Sequence, residues 1–282
     1  MTSTCIGILH PGEMGATVGA AARVAGARVC WASEGRAEAS RRRAAEAGLE
    51  DAQTLAALVA ACDMVVSVCP PDAAADLARS VAATGFDGIY VDANAVATAT
   101  AREVAGIIES AGARFVDGGI IGPPAKRSGT TRLYLSGDDA KAVADAFAGS
   151  ALAAIAIGTR PGAASALKMC YAAWTKGSAA LLTAVRALAV AEDVEAALLE
   201  EWSLSQPGLD ARSAAAASGN AFKAWRFAGE MREIAATFEA AGLPGGFHQA
   251  AAEVYARLAR YKDCDPAPPV EAIIDTLLDG AP

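Results

Sequence analysis

The chain lacks most of what builds a metal or nucleophile site. It has two histidines among 282 residues, and its six cysteines (Cys5, Cys30, Cys62, Cys69, Cys170 and Cys264) form no CxxC pair. No zinc-ligand spacing follows from them, so no metal is expected. Basic residues are in deficit, 24 Lys and Arg against 32 Asp and Glu, for a net charge of −8. A nucleic-acid-binding chain presents a basic face, so nucleic acid is not an expected partner. Long apolar runs are missing too. The longest, around Ser178–Ala191, is too short to span a bilayer and contains Arg186, which leaves no membrane role. The opening Met-Thr-Ser-Thr has no basic segment of the secretory kind. Cysteines set in apolar runs behave as small buried hydrophobes, and reduced thiols in a cytoplasmic protein are expected.

What is there is alanine. Hydrophobic residues make up 54% of the chain and aromatics only 6%, a balance suited to close helix packing. Up to about residue 160, short apolar runs alternate with helical patterns. Cys5–Leu9, Arg28–Ala32, Met64–Val68, Ile89–Asp92, Arg114–Val116, Leu133–Leu135 and Leu152–Ile157 read as strands. Met14–Ala25, Arg36–Ala47, Thr54–Ala61, Ala73–Ala83 and Thr98–Ala111 read as helices between them. That alternation predicts an α/β domain over 1–160 with a doubly wound parallel sheet. After Gly162 the strand signals stop. Ala163–Ala191 reads as one long helix, followed by Val194–Trp202, Ala221–Ala241, Phe247–Tyr261 and Pro269–Leu278, so 161–282 is expected to be all-α.

The first strand runs into His10-Pro11-Gly12-Glu13-Met14-Gly15 and then a helix. Strand, glycine turn and helix are the elements of a Rossmann-type dinucleotide site. The helix start offers N–H groups and partial positive charge to a pyrophosphate. Gly12 would let the backbone approach the phosphate, and Gly15 would let helix and strand pack closely. His10 replaces the first glycine of GxGxxG, so the strict fingerprint is broken. Ser33 and Arg36, at the end of the second strand, suit the 2′-phosphate of NADP. Glu34 points towards NAD, which stays the alternative. The Arg41–Arg43 run reads equally as a cofactor contact or as a solvated helix face.

The Pro-Gly-Glu-Met-Gly turn resembles the GLGxMG turn of the β-hydroxyacid dehydrogenase and 6-phosphogluconate dehydrogenase superfamily. Val68-Cys69-Pro70-Pro71 resembles that family's strand-end segment beside the cofactor, and Asp92-Ala-Asn94 its Asp-x-Ser/Thr element. Asp117-Gly-Gly-Ile-Ile-Gly122, followed by Gly129-Thr130, is similar to its substrate-binding segment. Gly162-Ala-Ala-Ser-Ala-Leu-Lys168 is similar to the glycine-and-lysine element opening its interdomain helix. The second half is similar to a bacterial subgroup whose C-terminal domain is one of unknown function.

The resemblance implies Lys168 as general acid in ketone reduction and base in the reverse reaction, since hydride transfer leaves negative charge on oxygen. It implies a cofactor lined by His10, Pro11, Gly12, Glu13, Met14, Ser33, Arg36, Cys69, Pro70, Pro71 and Asn94. It implies a small-molecule substrate near Asn94, Gly119, Ile120, Ile121, Gly122, Pro123, Tyr171 and Glu230. The family's Ser-Gly-Gly is Ile121-Gly122-Pro123 here, so a simple β-hydroxyacid is in doubt. Backbone N–H groups of a loop at Gly118–Gly122 are left to hold an anion, and Ile120, Ile121 and the prolines to favour an apolar substrate. The expected function is hydride transfer between NADP(H) and a small hydroxyl or carbonyl compound. An imine reductase of the same architecture and a non-catalytic dinucleotide-binding protein are the alternatives. The alanine-rich long helix leads to the expectation of a homodimer through the helical domain.

Overall fold

The structure, a computed structural model, describes residues 4–262 and 264–280. Short β-rich runs form the strands β1 (Cys5–Ile8), β2 (Arg28–Trp31), β3 (Glu50–Asp51), β4 (Met64–Ser67), β5 (Ile89–Asp92), β6 (Arg114–Ile121), β7 (Thr131–Ser136) and β8 (Leu152–Ala156). They build one sheet in the order β3-β2-β1-β4-β5-β6-β7-β8. The first six run parallel, joined by α1 (Glu13–Val24), α2 (Glu38–Glu46), α3 (Leu55–Ala61), α4 (Ala74–Ala82) and α5 (Thr98–Ser110).

Strand alternation separates two cores. Ile6, Ile8, Val29, Trp31, Met64, Val66, Val91 and Val116 point to the α1 side. Cys5, Leu9, Cys30, Val65, Tyr90 and Phe115 point to the α3–α5 side. Both faces are therefore covered, as a doubly wound sheet requires.

Two expectations need correction. The sheet is not wholly parallel, because β7 runs antiparallel to β6, and β8 then runs parallel to β7 after α6 (Ala140–Asp145). The connection over residues 122–130, which opens at Gly122 (φ 122°), returns the chain directly beside β6 without a crossover helix. Gly118–Ile121 is not a loop either. β6 continues past Asp117, pairing Gly118–Leu135 through Ile121–Arg132. Glycine's low strand preference hid this continuation.

By its contacts the chain divides into two compact units, one ending at Lys168 and the other beginning at Met169. The division falls inside α7 (Ala163–Ala191). The second unit holds α8 (Glu195–Ser205), α9 (Leu209–Ala221), α10 (Ala224–Ala240), α11 (Gly246–Arg257) and α12 (Val270–Leu278). α9 was not foreseen, since its Ala, Ser and Gly run carries no apolar stripe. The buried Arg186 joins three helices there, donating to Glu195 and, at 3.1 Å, to Ser213 Oγ. His248 is buried against Phe238 and Phe247, and burial lowers its pKa. No helix among the described residues is long and apolar enough to cross a membrane.

Candidate dinucleotide site

The site is built from loops at the C-terminal ends of the parallel strands, where ligands bind in open α/β sheets. α1 starts from Gly12 with no side-chain cap. Its first-turn N–H groups have no intrahelical acceptors and lie where an anion would be held. A Cβ on Gly12 would meet nothing within 4 Å, so the surface above the turn is open. A Cβ on Gly15 would lie 2.0 Å from His10 O, so this position needs glycine for close strand–helix packing. The imidazole of His10 is half-buried, and its Nδ1 has no partner. Burial, and then the charge of Arg36, push its pKa down to about 4, so the ring is neutral at pH 7. An open glycine, an uncapped helix start and orphaned polar atoms fit a pyrophosphate.

Arginines surround the adjoining ends of β1 and β2. Arg36 Nη2 donates to Leu9 O (3.2 Å), Arg41 Nη2 to Ser33 O (2.8 Å) and Arg43 Nε to Pro11 O (3.2 Å). Arg36 Nε is buried without a partner. The arginine run is thus split: Arg41 and Arg43 clamp the loops, whereas Arg42 lies exposed beside Glu46. Glu34 is exposed.

At the ends of β4 and β5, Asn94 works as a brace. Its Oδ1 accepts from Cys69 N (2.6 Å) and its Nδ2 donates to Ser67 Oγ (2.9 Å), which fixes the Cys69-Pro70-Pro71 turn. Asn94 is 2% exposed, so it acts on a ligand chiefly by positioning that turn. Burial raises the Cys69 thiol to about 11, so it stays protonated.

Asp92 and Asp117 face each other across β5 and β6. Asp117 accepts from Ser136 Oγ (3.0 Å), Ser165 N (2.9 Å) and Ser165 Oγ (2.5 Å). With Ser136 Oγ accepting from Ala164 N (3.1 Å), it caps the start of α7. Asp92 accepts the Asn94 N–H (3.0 Å) through Oδ1, and its Oδ2 is an orphan among the described residues. Burial, and the neighbouring Asp117, raise its pKa to about 7.

Lys168 lies in the second turn of the helix capped in this way. Its Nζ donates to Ile120 O at 2.7 Å. A Cβ on Gly119 would come 2.7 Å from Ala164 O and 3.0 Å from Lys168 Cβ, so glycine here lets α7 settle onto β6. The role expected of the Ile120 side chain is corrected: alternation turns it into the α1-side core, away from Lys168, and only its carbonyl serves the site. Ile121 is also buried, while Gly122 and Pro123 form the exposed turn, with Pro123 O accepting from Thr131 Oγ1 (2.6 Å).

Tyr171 and Glu230 belong to the second unit. Tyr171 is 45% exposed. Glu230 is largely buried in a close ion pair with Lys176, whose ammonium also sits 4.6 Å from the Phe227 ring centre. Sequence reasoning did not find the cap formed by Asp117, Ser136 and Ser165, nor the Ile120 carbonyl. Their partners are 19 to 48 residues away, so no local pattern marks them.

No curated protein is significantly similar to the chain. Among solved structures, a conserved hypothetical protein from Sinorhizobium meliloti is 27% identical, with a TM-score of 0.70 over 99% of this chain and 97% of that one. The 3-hydroxyisobutyrate dehydrogenase of Mycobacterium tuberculosis is 22% identical, with a TM-score of 0.71 over 98% and 99%. An imine reductase from Myxococcus stipitatus, solved with NAD+, is 19% identical, with a TM-score of 0.55 over 99% and 100%. Residues 189–258 match a domain of unknown function, DUF1932. Residues 5–158, more than half of the chain, match the NAD binding domain of 6-phosphogluconate dehydrogenase, and it is to this family that the chain belongs.

Proposed function

We propose that the protein transfers hydride between NADP(H) and a small hydroxyl or carbonyl compound, with Lys168 as general acid in reduction and base in oxidation. The observation that carries the reading is the Lys168 amine held 2.7 Å from Ile120 O, at the strand ends that also carry the open glycine turn. NADPH, when bound, would supply the hydride that the carbonyl carbon accepts. Negative charge then collects on the substrate oxygen, and an N–H of Lys168 delivers the proton that quenches it. In oxidation the neutral amine takes the hydroxyl proton. The Ile120 carbonyl fixes the amine, and the cap on α7 fixes the helix carrying it. Arg36, Arg41 and Arg43 support NADP over NAD, because a 2′-phosphate placed at the end of β2 meets cationic groups. The second unit is assigned to self-association.

The test is a panel of ketones, hydroxyacids and cyclic imines, followed by nicotinamide absorbance with each cofactor. At least one carbonyl–hydroxyl pair is expected to turn over, with NADPH preferred. Lys168→Ala is expected to lower kcat about 10²–10⁴-fold and to leave the cofactor Kd unchanged. Turnover of imines alone, or an unimpaired Lys168→Ala variant, overturns the assignment. Cofactor binding with no turnover across the panel marks a non-catalytic binder.

A further inference from the structure

Three cysteines remote in sequence meet at the opposite end of the sheet strands from the glycine turn. Cys5 opens β1, Cys30 lies on β2 facing the same core, and Cys62 caps the C-terminus of α3. Cys5 Sγ is 3.3 Å from Cys62 Sγ and 3.8 Å from Cys30 Sγ, and all three sulfurs lie within 4.8 Å of one another. The point equidistant from sulfurs so spaced is at most about 2.4 Å from each, against about 2.3 Å for a metal–thiolate bond. β1 itself leaves room for Cys62: a Cβ on Gly7 would press to 3.3 Å from its Sγ.

We propose that Cys5, Cys30 and Cys62 form a three-thiolate site for one soft monovalent cation of the copper(I) class. The ligand number and type set the choice. Among the described residues no fourth His, Cys, Asp or Glu joins the group, whereas a structural zinc takes four ligands. Three sulfurs without nitrogen or oxygen select a soft cation. Binding forms three S–Cu bonds and releases three protons to solvent, with no change in oxidation state.

The experiment is an anaerobic titration of the reduced full-length protein with copper(I) held by a competing chelator, followed by X-ray absorption on the loaded wild type. One equivalent is expected to bind, with three sulfurs at about 2.2–2.4 Å and no nitrogen or oxygen in the shell. Cys5→Ala, Cys30→Ala and Cys62→Ala are each expected to weaken binding by more than about 100-fold, beyond the usual effect of an outer-shell change. The exposed Cys170→Ser and Cys264→Ser are expected to change nothing. Failure of the wild type to compete for copper(I), a shell with fewer than three sulfurs, or dependence on Cys170 or Cys264 overturns the proposal. The wild-type absorption measurement stands even if a variant fails to fold.

Discussion

Two aspartates on neighbouring strands differ in what surrounds them. Asp117 has three donors and sits at a helix start, while Asp92 keeps an orphaned oxygen. With its pKa raised to about 7, against about 3.9 in an unfolded chain, Asp92 binds a proton in the native state over a range where the unfolded state has lost it. Native stability therefore falls as pH rises from about 4 to about 7, by at most about 1.4 kcal/mol per pH unit from this group, and levels off above. Asp92→Asn keeps the acceptor for the Asn94 N–H and removes the titration. Urea unfolding from pH 4.5 to 8 should show the variant gaining on wild type up to about pH 7 and then running parallel. A second residue-scale expectation concerns Arg36. Arg36→Ala should raise KM for NADPH by about 10- to 100-fold, the worth of a charge-assisted contact, and barely alter KM for NADH. Equal effects on both cofactors would assign Arg36 to the loop rather than to the phosphate. The sequence singled out Gly12 and Lys168 through motif order and Arg36 through its position after the second strand. It did not reveal the inequality of Asp92 and Asp117, because burial and donor count arise only when β5 and β6 pair.

At the scale of elements, the site depends on how α7 meets β6. The long helix was legible over its full length, Ala163–Ala191, because nothing in that stretch breaks a helix. The strand beneath was read as ending at Val116, yet it runs to Ile121, and its last residues carry the lysine's anchor. Tertiary pairing with β7 overrides the weak strand preference of two glycines. Close approach at Gly119 follows, and it is testable. Gly119→Ala places a methyl where Ala164 O and Lys168 Cβ already are, so the start of α7 must lift. The expected result is a loss of about 1–3 kcal/mol in stability. kcat should fall up to about 10²-fold from misplacement of the amine, with cofactor Kd nearly constant. An unchanged kcat with a lowered melting temperature would separate the packing role from the catalytic one.

For the whole molecule, the alternation of strands and helices gave the doubly wound class, and the strand-free second half gave the helical unit. What sequence did not give was the reversal at β7, since a short return and a long crossover both leave apolar runs. The exposed face of α7 bears on assembly. Leu167, Tyr171, Trp174, Leu181 and Leu188 fall at alternating three- and four-residue steps, with Ser178 and Val185 completing the series, and the five large side chains are 36% to 70% exposed. A heptad stripe of this kind suits a second copy of the same helix. Trp174→Glu should shift sedimentation from dimer to monomer at micromolar concentration, and a wild type that sediments as a monomer would end this reading. The sheet's turning strand has a consequence of its own. Along β6, Val116 and Ile120 feed one core while Asp117 and Gly119 serve the helix opposite. Deleting a single glycine there would invert everything downstream, turning a greasy side chain towards the amine and its carbonyl away. Evolution can alter the letters of this segment far more readily than its length.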